Sequence, residues 1–253
     1  MRALTLWPEW AHAIRFLGKL VENRGWRPTL PLRLAIHAGA HIGGRKGKVA
    51  LREGLEAVEL TAYQPDAPLV HLCHDARGRL LPQLRRDGEA PRPVLTSAVV
   101  ATATVKRVLE PVDGLTGRDP WHVPDQYGWQ LDDLVVLRHP LRDIKGAQNL
   151  WAFTKGSHPR WSPKKLADEL RVREALSRGF EVLNTSGVRL VELDATRTLI
   201  DANAQRMALR GRGVSAQVRV AGDRRALEPD EYLYLLDRER QLDSEERRLG
   251  VAA

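Results

Sequence analysis

The stretch GKLVENRGWRP, residues 18–28, sets a lysine, a glutamate, an arginine and a tryptophan within eight positions: Lys19, Glu22, Arg24 and Trp26. Leu20 and Val21 make it too apolar for a surface loop, so it reads as a short, partly buried strand. On a strand alternate side chains share a face, which puts Leu20, Glu22, Arg24 and Trp26 on one side and Lys19, Val21 and Asn23 on the other. Glu22 and Arg24 then stand about 7 Å apart at Cβ and can pair. Trp26 beside Arg24 supplies a cation–π partner, or a flat surface on which a base can lie. The same pattern also describes an ion pair that closes a sheet beneath a tryptophan.

Outward from this stretch the pieces alternate in character. Just before it, LWPEWAHAIRFLG has Pro8 suited to a first helical turn, Trp10, Ala13, Ile14 and Leu17 at helical spacing, and Gly18 as a stop. After it come LRLAIHA, TSAVVATATVKRVL, LVVLRHP and NLWAF, short period-2 runs bounded by Pro and Gly as strands usually are. Between them KVALREGLEAVELTA has helical spacing, whereas PDAPLVHLCHDARGRLLPQLRRDGEAPRP is proline-rich and charged and reads as a long excursion. Trp121, Trp129 and Trp151 are expected to pack a β core.

All seven tryptophans and all eight histidines lie at or before Trp161, and only Pro229 follows Pro163. This marks a boundary. Residues 1–155 carry 22 Lys+Arg against 16 Asp+Glu, and the remainder 18 against 16, so most of the excess positive charge is in front. The back part opens with SPKKLADELRVREALSRG, where Ser162 as cap and Pro163 behind it start a helix. Further helices are expected at about 194–209 and 229–247, with a strand at SAQVRV. The charges of 164–178 and 229–248 alternate in sign, which marks a solvated or partner-facing helix.

The formal charge of +8 and pI near 10.0 favour polyanionic partners, because each neutralised phosphate releases a counterion. Arginines outnumber lysines 32 to 8, a bias that genome base composition alone can produce, although arginine also forks onto phosphate and stacks on bases. The single cysteine, Cys73, excludes an internal disulfide framework and fits a reducing compartment. No apolar run is long enough for a membrane span and MRALTLWPEW is no signal peptide, so a cytoplasmic protein with no membrane partner is expected.

The order LTLWPEWAHAIRFLGKLVENRGW, LRLAIHAG, SAVVATATVKRVL, YGWQLDDLVVLRHPLRDIKGAQNLWAF resembles an ASCH domain, a member of the PUA-like β-barrel superfamily. The specific part is the N-terminal helix followed by Lys19, Glu22, Arg24 and Trp26. The likeness covers about 1–155, interrupted by the excursion at 40–95. It implies a small barrel with a basic cleft beside Lys19–Trp26, used by relatives to bind RNA, DNA or modified nucleobases. In that cleft Lys19 would hold phosphate or act as a base, Glu22 would accept from an exocyclic amine, and Arg24 would brace Glu22 or grip phosphate. The chain departs from the family at Pro8-Glu9-Trp10, where Gln-Pro-Trp is frequent. It also has Glu22 where members resembling N4-acetylcytidine amidohydrolases carry a threonine nucleophile, and a carboxylate does not repeat a hydroxyl's acyl transfer unchanged.

Three further motifs invite chemistry. HAGAHIGGRKGK, residues 37–48, approaches P-loop spacing but lacks the Ser or Thr that holds the metal ion, so Arg45, Lys46 and Lys48 read as basic loop residues able to touch phosphate. His71, Cys73 and His74 offer ligand chemistry without a second cluster, so no metal is expected. Ser97 and Ser157 lie in no nucleophile-elbow context.

The expectation is therefore an α+β protein: a PUA-like β-barrel with flanking helices over 1–155, then a mainly helical C-terminal region over 156–253 that packs on it or meets a protein partner. The expected function is nucleic-acid binding, RNA ahead of DNA, with no cofactor. The rival is a hydrolase of an N4-acylcytidine-type nucleobase or of RNA, with Lys19 and Glu22 as its acid and base.

Overall fold

A computed structural model describes residues 1–16, 18–41, 69–74, 80–85, 94–111, 121–123, 125–184 and 198–249, the backbone alone in 69–74 and 80–85. The expected helix over KVALREGLEAVELTA lies outside these residues. The chain is α+β and divides into two units, Met1–Val136 with Pro140–Leu166, and Leu137–His139 with Ala167–Ala253.

The first unit begins with β1 (Arg2–Leu6), α1 (Pro8–Phe16), β2 (Val21–Arg24) and β3 (Leu32–Ala38). Then follow β4 (Leu69–His74), β5 (Leu80–Arg85), β6 (Ala98–Leu109), β7 (Tyr127–Leu141) and β8 (Leu150–Trp151). Six of these strands form one curled, half-barrel sheet in the order β2-β7-β6-β3-β1-β8. β1 runs parallel to β3, and the other neighbours are antiparallel. β3 and β6 lie in the middle of the sheet, which is why LRLAIHA and AVVATATV are buried over most of their length instead of alternating. The β6–β7 register shifts three times and the β3–β6 register once. Each extra residue bends a strand and adds twist, which curls the sheet.

The helix α1 lays Ala11 and Ile14 on a core built from Leu4, Leu34, Ile36, Val100 and Trp129. It stops at Gly18, whose φ of +67° suits a residue without Cβ, and the Lys19 N–H then returns to the Ala13 carbonyl at 3.3 Å. That turn aims the chain into β2. Within the 40–95 excursion, β4 and β5 pair antiparallel as a separate two-stranded sheet, a pairing the proline content had hidden. Pro82 is tolerated there because a strand with one neighbour leaves half its donors unneeded.

The second unit contains α2 (Pro163–Arg178) from Ala167 onward, β9 (Phe180–Asn184), α3 (Leu199–Gly211), β10 (Ala216–Val220) and α4 (Pro229–Arg248). β9 and β10 pair antiparallel, so this region carries a small sheet beside its helices. Its own core gathers Leu176, Phe180, Leu199, Ala202, Val218, Tyr232 and Leu242. Among the described residues no helix is long and apolar enough to cross a membrane.

Candidate functional site

β2 is shorter than the sequence pattern suggests and starts at Val21, so Lys19 precedes it and escapes strand alternation. Its side chain turns to the Glu22 side, with Nζ 3.5 Å from Glu22 Oε2. The ammonium also donates to the Val21 carbonyl and lies 5.4 Å from the Trp10 ring centre and 5.8 Å from that of Trp121. The two indoles meet edge to face at 6.3 Å. A carboxylate, a carbonyl and two ring faces are the surroundings that suit a desolvated ammonium.

Glu22 is held from its other side by Arg24, whose Nε is 3.1 Å from Oε1, while Arg24 NH2 donates to the Thr5 carbonyl at 3.3 Å. Lys19 and Glu22 are buried, at 2% and 6% exposure, whereas Leu20, expected to share the Glu22 face, is 46% exposed. Burying an ammonium with a carboxylate, beside a half-buried guanidinium, carries a desolvation cost that apolar residues would avoid. Such an arrangement inside a small domain marks a candidate site.

Trp26 lies beyond the end of β2 and keeps 37% of its surface exposed. Its ring meets Trp129 edge-on at 4.6 Å, and Trp129 Nε1 donates to the Trp26 carbonyl at 3.1 Å. The indole is thus fixed yet presented to solvent. Asn23 fastens the opposite side of the strand: its amide donates to the Trp121 carbonyl at 2.7 Å and accepts from the Val123 N–H at 2.9 Å. Arg45, Lys46 and Lys48 lie outside the described residues. His71, Cys73 and His74 fall where only the backbone of β4 is described, and among the described residues no three His, Cys, Asp or Glu gather as a metal site.

A second polar cluster adjoins the first through Thr5. His37, 1% exposed, lies at 3.1 Å from the Ile144 carbonyl through Nε2 and at 3.1 Å from Thr5 Oγ1 through Nδ1. The carbonyl can only accept, which places the ring proton on Nε2 and leaves Nδ1 to accept from the Thr5 hydroxyl. Trp151 Nε1 donates to the same hydroxyl at 3.0 Å. A side chain on Gly146 would come within 2.3 Å of His37 Cε1 and 2.9 Å of Thr5 Oγ1, so the backbone closes over this cluster.

Burial pushes the His37 pKa below its ordinary value of 6.5, and the bond to the Ile144 carbonyl opposes that shift in part. The unfolded chain therefore binds the proton more readily. The stability from this cluster is fully present above about pH 6.5 and is lost as pH falls through the folded value. Melting curves between about pH 8 and pH 5 should show a steeper acid-side loss in the native chain than in His37→Gln. Parallel decline in the two proteins would refute it.

Trp10, Trp121 and Thr5 were not readable as parts of the site. Trp121 is 102 positions from Lys19 in the chain, and no local pattern reports such a meeting. No protein-family model matches the chain, and no curated protein matches it.

Proposed function

We propose that the chain binds nucleic acid, RNA ahead of DNA, through the segment from Lys19 to Trp26, as an ASCH/PUA-like protein working in the cytoplasm. The observation that carries this reading is the graded exposure of the segment. The Glu22 carboxylate is buried between Lys19 and Arg24, while the Arg24 side chain keeps 21% and, two residues on, Trp26 keeps 37% of its surface exposed. An exocyclic amine can donate to the carboxylate, a base can lie against the indole, and the guanidinium can reach a phosphate. Arg45, Lys46 and Lys48, from the stretch after β3, would add backbone contacts. On this reading the half-barrel sheet is the PUA-like barrel, and the region from 156 onward is an extension that meets a protein partner.

The hydrolase alternative uses the same Lys19–Glu22 contact but asks Lys19 to give up its proton. Its neighbours are those of an ammonium, so binding fits the geometry better. Fluorescence anisotropy with labelled single-stranded RNA and DNA of about 20 nucleotides is the test. Trp26→Ala and Arg24→Ala should each weaken RNA binding about tenfold, the loss of roughly one stacked base or one charge-assisted contact. Unchanged affinity of both variants at low salt would remove this segment from the function.

A further inference from the structure

The solvent side of α3 carries an apolar stripe along the length of the helix. Ile200, Ala204, Met207 and Gly211 recur at spacings of four, three and four residues, which places them on one face, and all four are exposed, Ile200 at 38% and Met207 at 50%. Exposed charges, Asp201 and Arg210, stand only at its edges. The other helices differ. α1 exposes no residue, α2 exposes only Lys164, Lys165, Arg171 and Arg178, and α4 interleaves exposed Leu233 and Tyr234 with Asp230, Asp237 and Arg240. An uncharged helix face is favoured by a second apolar surface laid against it.

The stripe is complementary to its own reverse. Ile200 and Gly211 are eleven residues apart, about three turns of helix, and so lie on one line. Turned end for end, the helix sets its Gly211 against Ile200 and its Met207 against Ala204, a large side chain opposite a small one at each contact. Asp201 and the C-cap Arg212 are also eleven residues apart and share one edge of the stripe. A two-fold axis lays that edge on itself reversed, so Asp201 of each copy meets Arg212 of the other. Both residues are exposed, and among the described residues neither forms an ion pair. Residues 156–253 carry 18 Lys+Arg against 16 Asp+Glu, so copies that meet there repel one another little.

We infer that a second copy of this chain docks on α3, the two α3 helices packed antiparallel about a two-fold axis. The inference rests on the reading of the region from 156 onward as partner-facing, and it names that partner. Large side chains seated against small ones let the helices approach closely, and the two Asp201–Arg212 pairs fix their direction. A different helix would have to carry the same order of large and small side chains with the same charges reversed, which α3 itself supplies. A pair of single helices lies at or below the roughly 1,200 Å² low end of specific interfaces, so a dissociation constant on the order of 10 µM is expected.

Sedimentation equilibrium of the RNA-free full chain, over about 1 to 300 µM, should show a monomer passing to a dimer. Met207→Glu sets a carboxylate in the middle of the stripe and should weaken association about 100-fold or more. Met207 is half exposed, so this variant keeps the native melting curve. Arg212→Glu should weaken association about tenfold, and adding Asp201→Arg, which restores both pairs with their signs exchanged, should return it to within about threefold of native. Native association in Met207→Glu, or a charge exchange that restores nothing, overturns the inference. A native chain that stays monomeric at about 300 µM also overturns it, while leaving a different protein partner for this region in place. RNA binding is read separately from the Trp26→Ala and Arg24→Ala affinities: a monomer that binds RNA overturns the dimer alone, and a dimer that binds none overturns the RNA reading alone.

Discussion

Glu22→Ala is expected to lower the unfolding midpoint of the first unit by roughly 10 °C, from a loss of about 3–5 kcal/mol. The carboxylate is 6% exposed and lies within 3.5 Å of Lys19 Nζ and 3.1 Å of Arg24 Nε. Removing it leaves a buried ammonium without its nearest counter-charge, and charge burial is what makes such a loss larger than that of a surface pair. Replacing both partners, as in Lys19→Met with Glu22→Leu, should recover most of that stability, because apolar side chains of similar size need no compensation. The double variant also separates structure from function. If the pair serves only to close the sheet, the double variant binds RNA like the native chain; if it reads a base, the stable variant binds weakly. A midpoint within about 2 °C of native in Glu22→Ala would refute the premise that this charge is desolvated.

The sequence carried the first unit's elements well because they are local. Helical spacing with Pro8 and Gly18 at its ends foretold α1 at Pro8–Phe16, and the apolar run LRLAIHA is β3 residue for residue. The expected burial of Trp129 and Trp151 holds at 0% and 8% exposure. What strand alternation got wrong is instructive. It separated Lys19 from Glu22, yet the rule applies only inside a strand, and β2 begins two residues after Lys19. Outside the ladder the backbone follows the helix stop at Gly18, and the side chain follows the carboxylate.

β9, the run FEVLN, also escaped notice. Its five residues follow Gly179, where the helix α2 has ended, and what makes them a strand is β10 beside them, pairing Phe180 with Val220. The Thr5–His37–Trp151 cluster was hidden for the same reason. Its members come from β1, β3 and β8, three strands whose adjacency is a property of the sheet order and not of any segment. Periodicity reports which face a side chain takes, and only topology reports what it meets there.

Glu239→Ala should be the most damaging single change in the second unit, at about 3–5 kcal/mol. A helix leaves its first backbone N–H groups without partners in the helix, and α3 satisfies them in an unusual way. Thr198 caps the Asp201 N–H at 3.0 Å, whereas the Leu199 and Ile200 N–H groups donate to Glu239 Oε1 at 3.1 Å and Oε2 at 2.9 Å. Glu239 comes from α4, is fully buried, and takes a third donor from Arg138 NH1 at 2.8 Å. One carboxylate therefore completes a helix start, favours the positive end of its dipole and neutralises a guanidinium. Truncation strands all three donors at once, beyond the roughly 1 kcal/mol that losing the Thr198 cap should cost. Glu239→Gln should fall between, since its amide keeps one acceptor but turns a donor toward a neighbouring donor. Urea unfolding measures the sum, and amide exchange at Leu199 and Ile200 localises it. If those two amides keep their native protection in Glu239→Ala, the carboxylate is not what holds the start of α3.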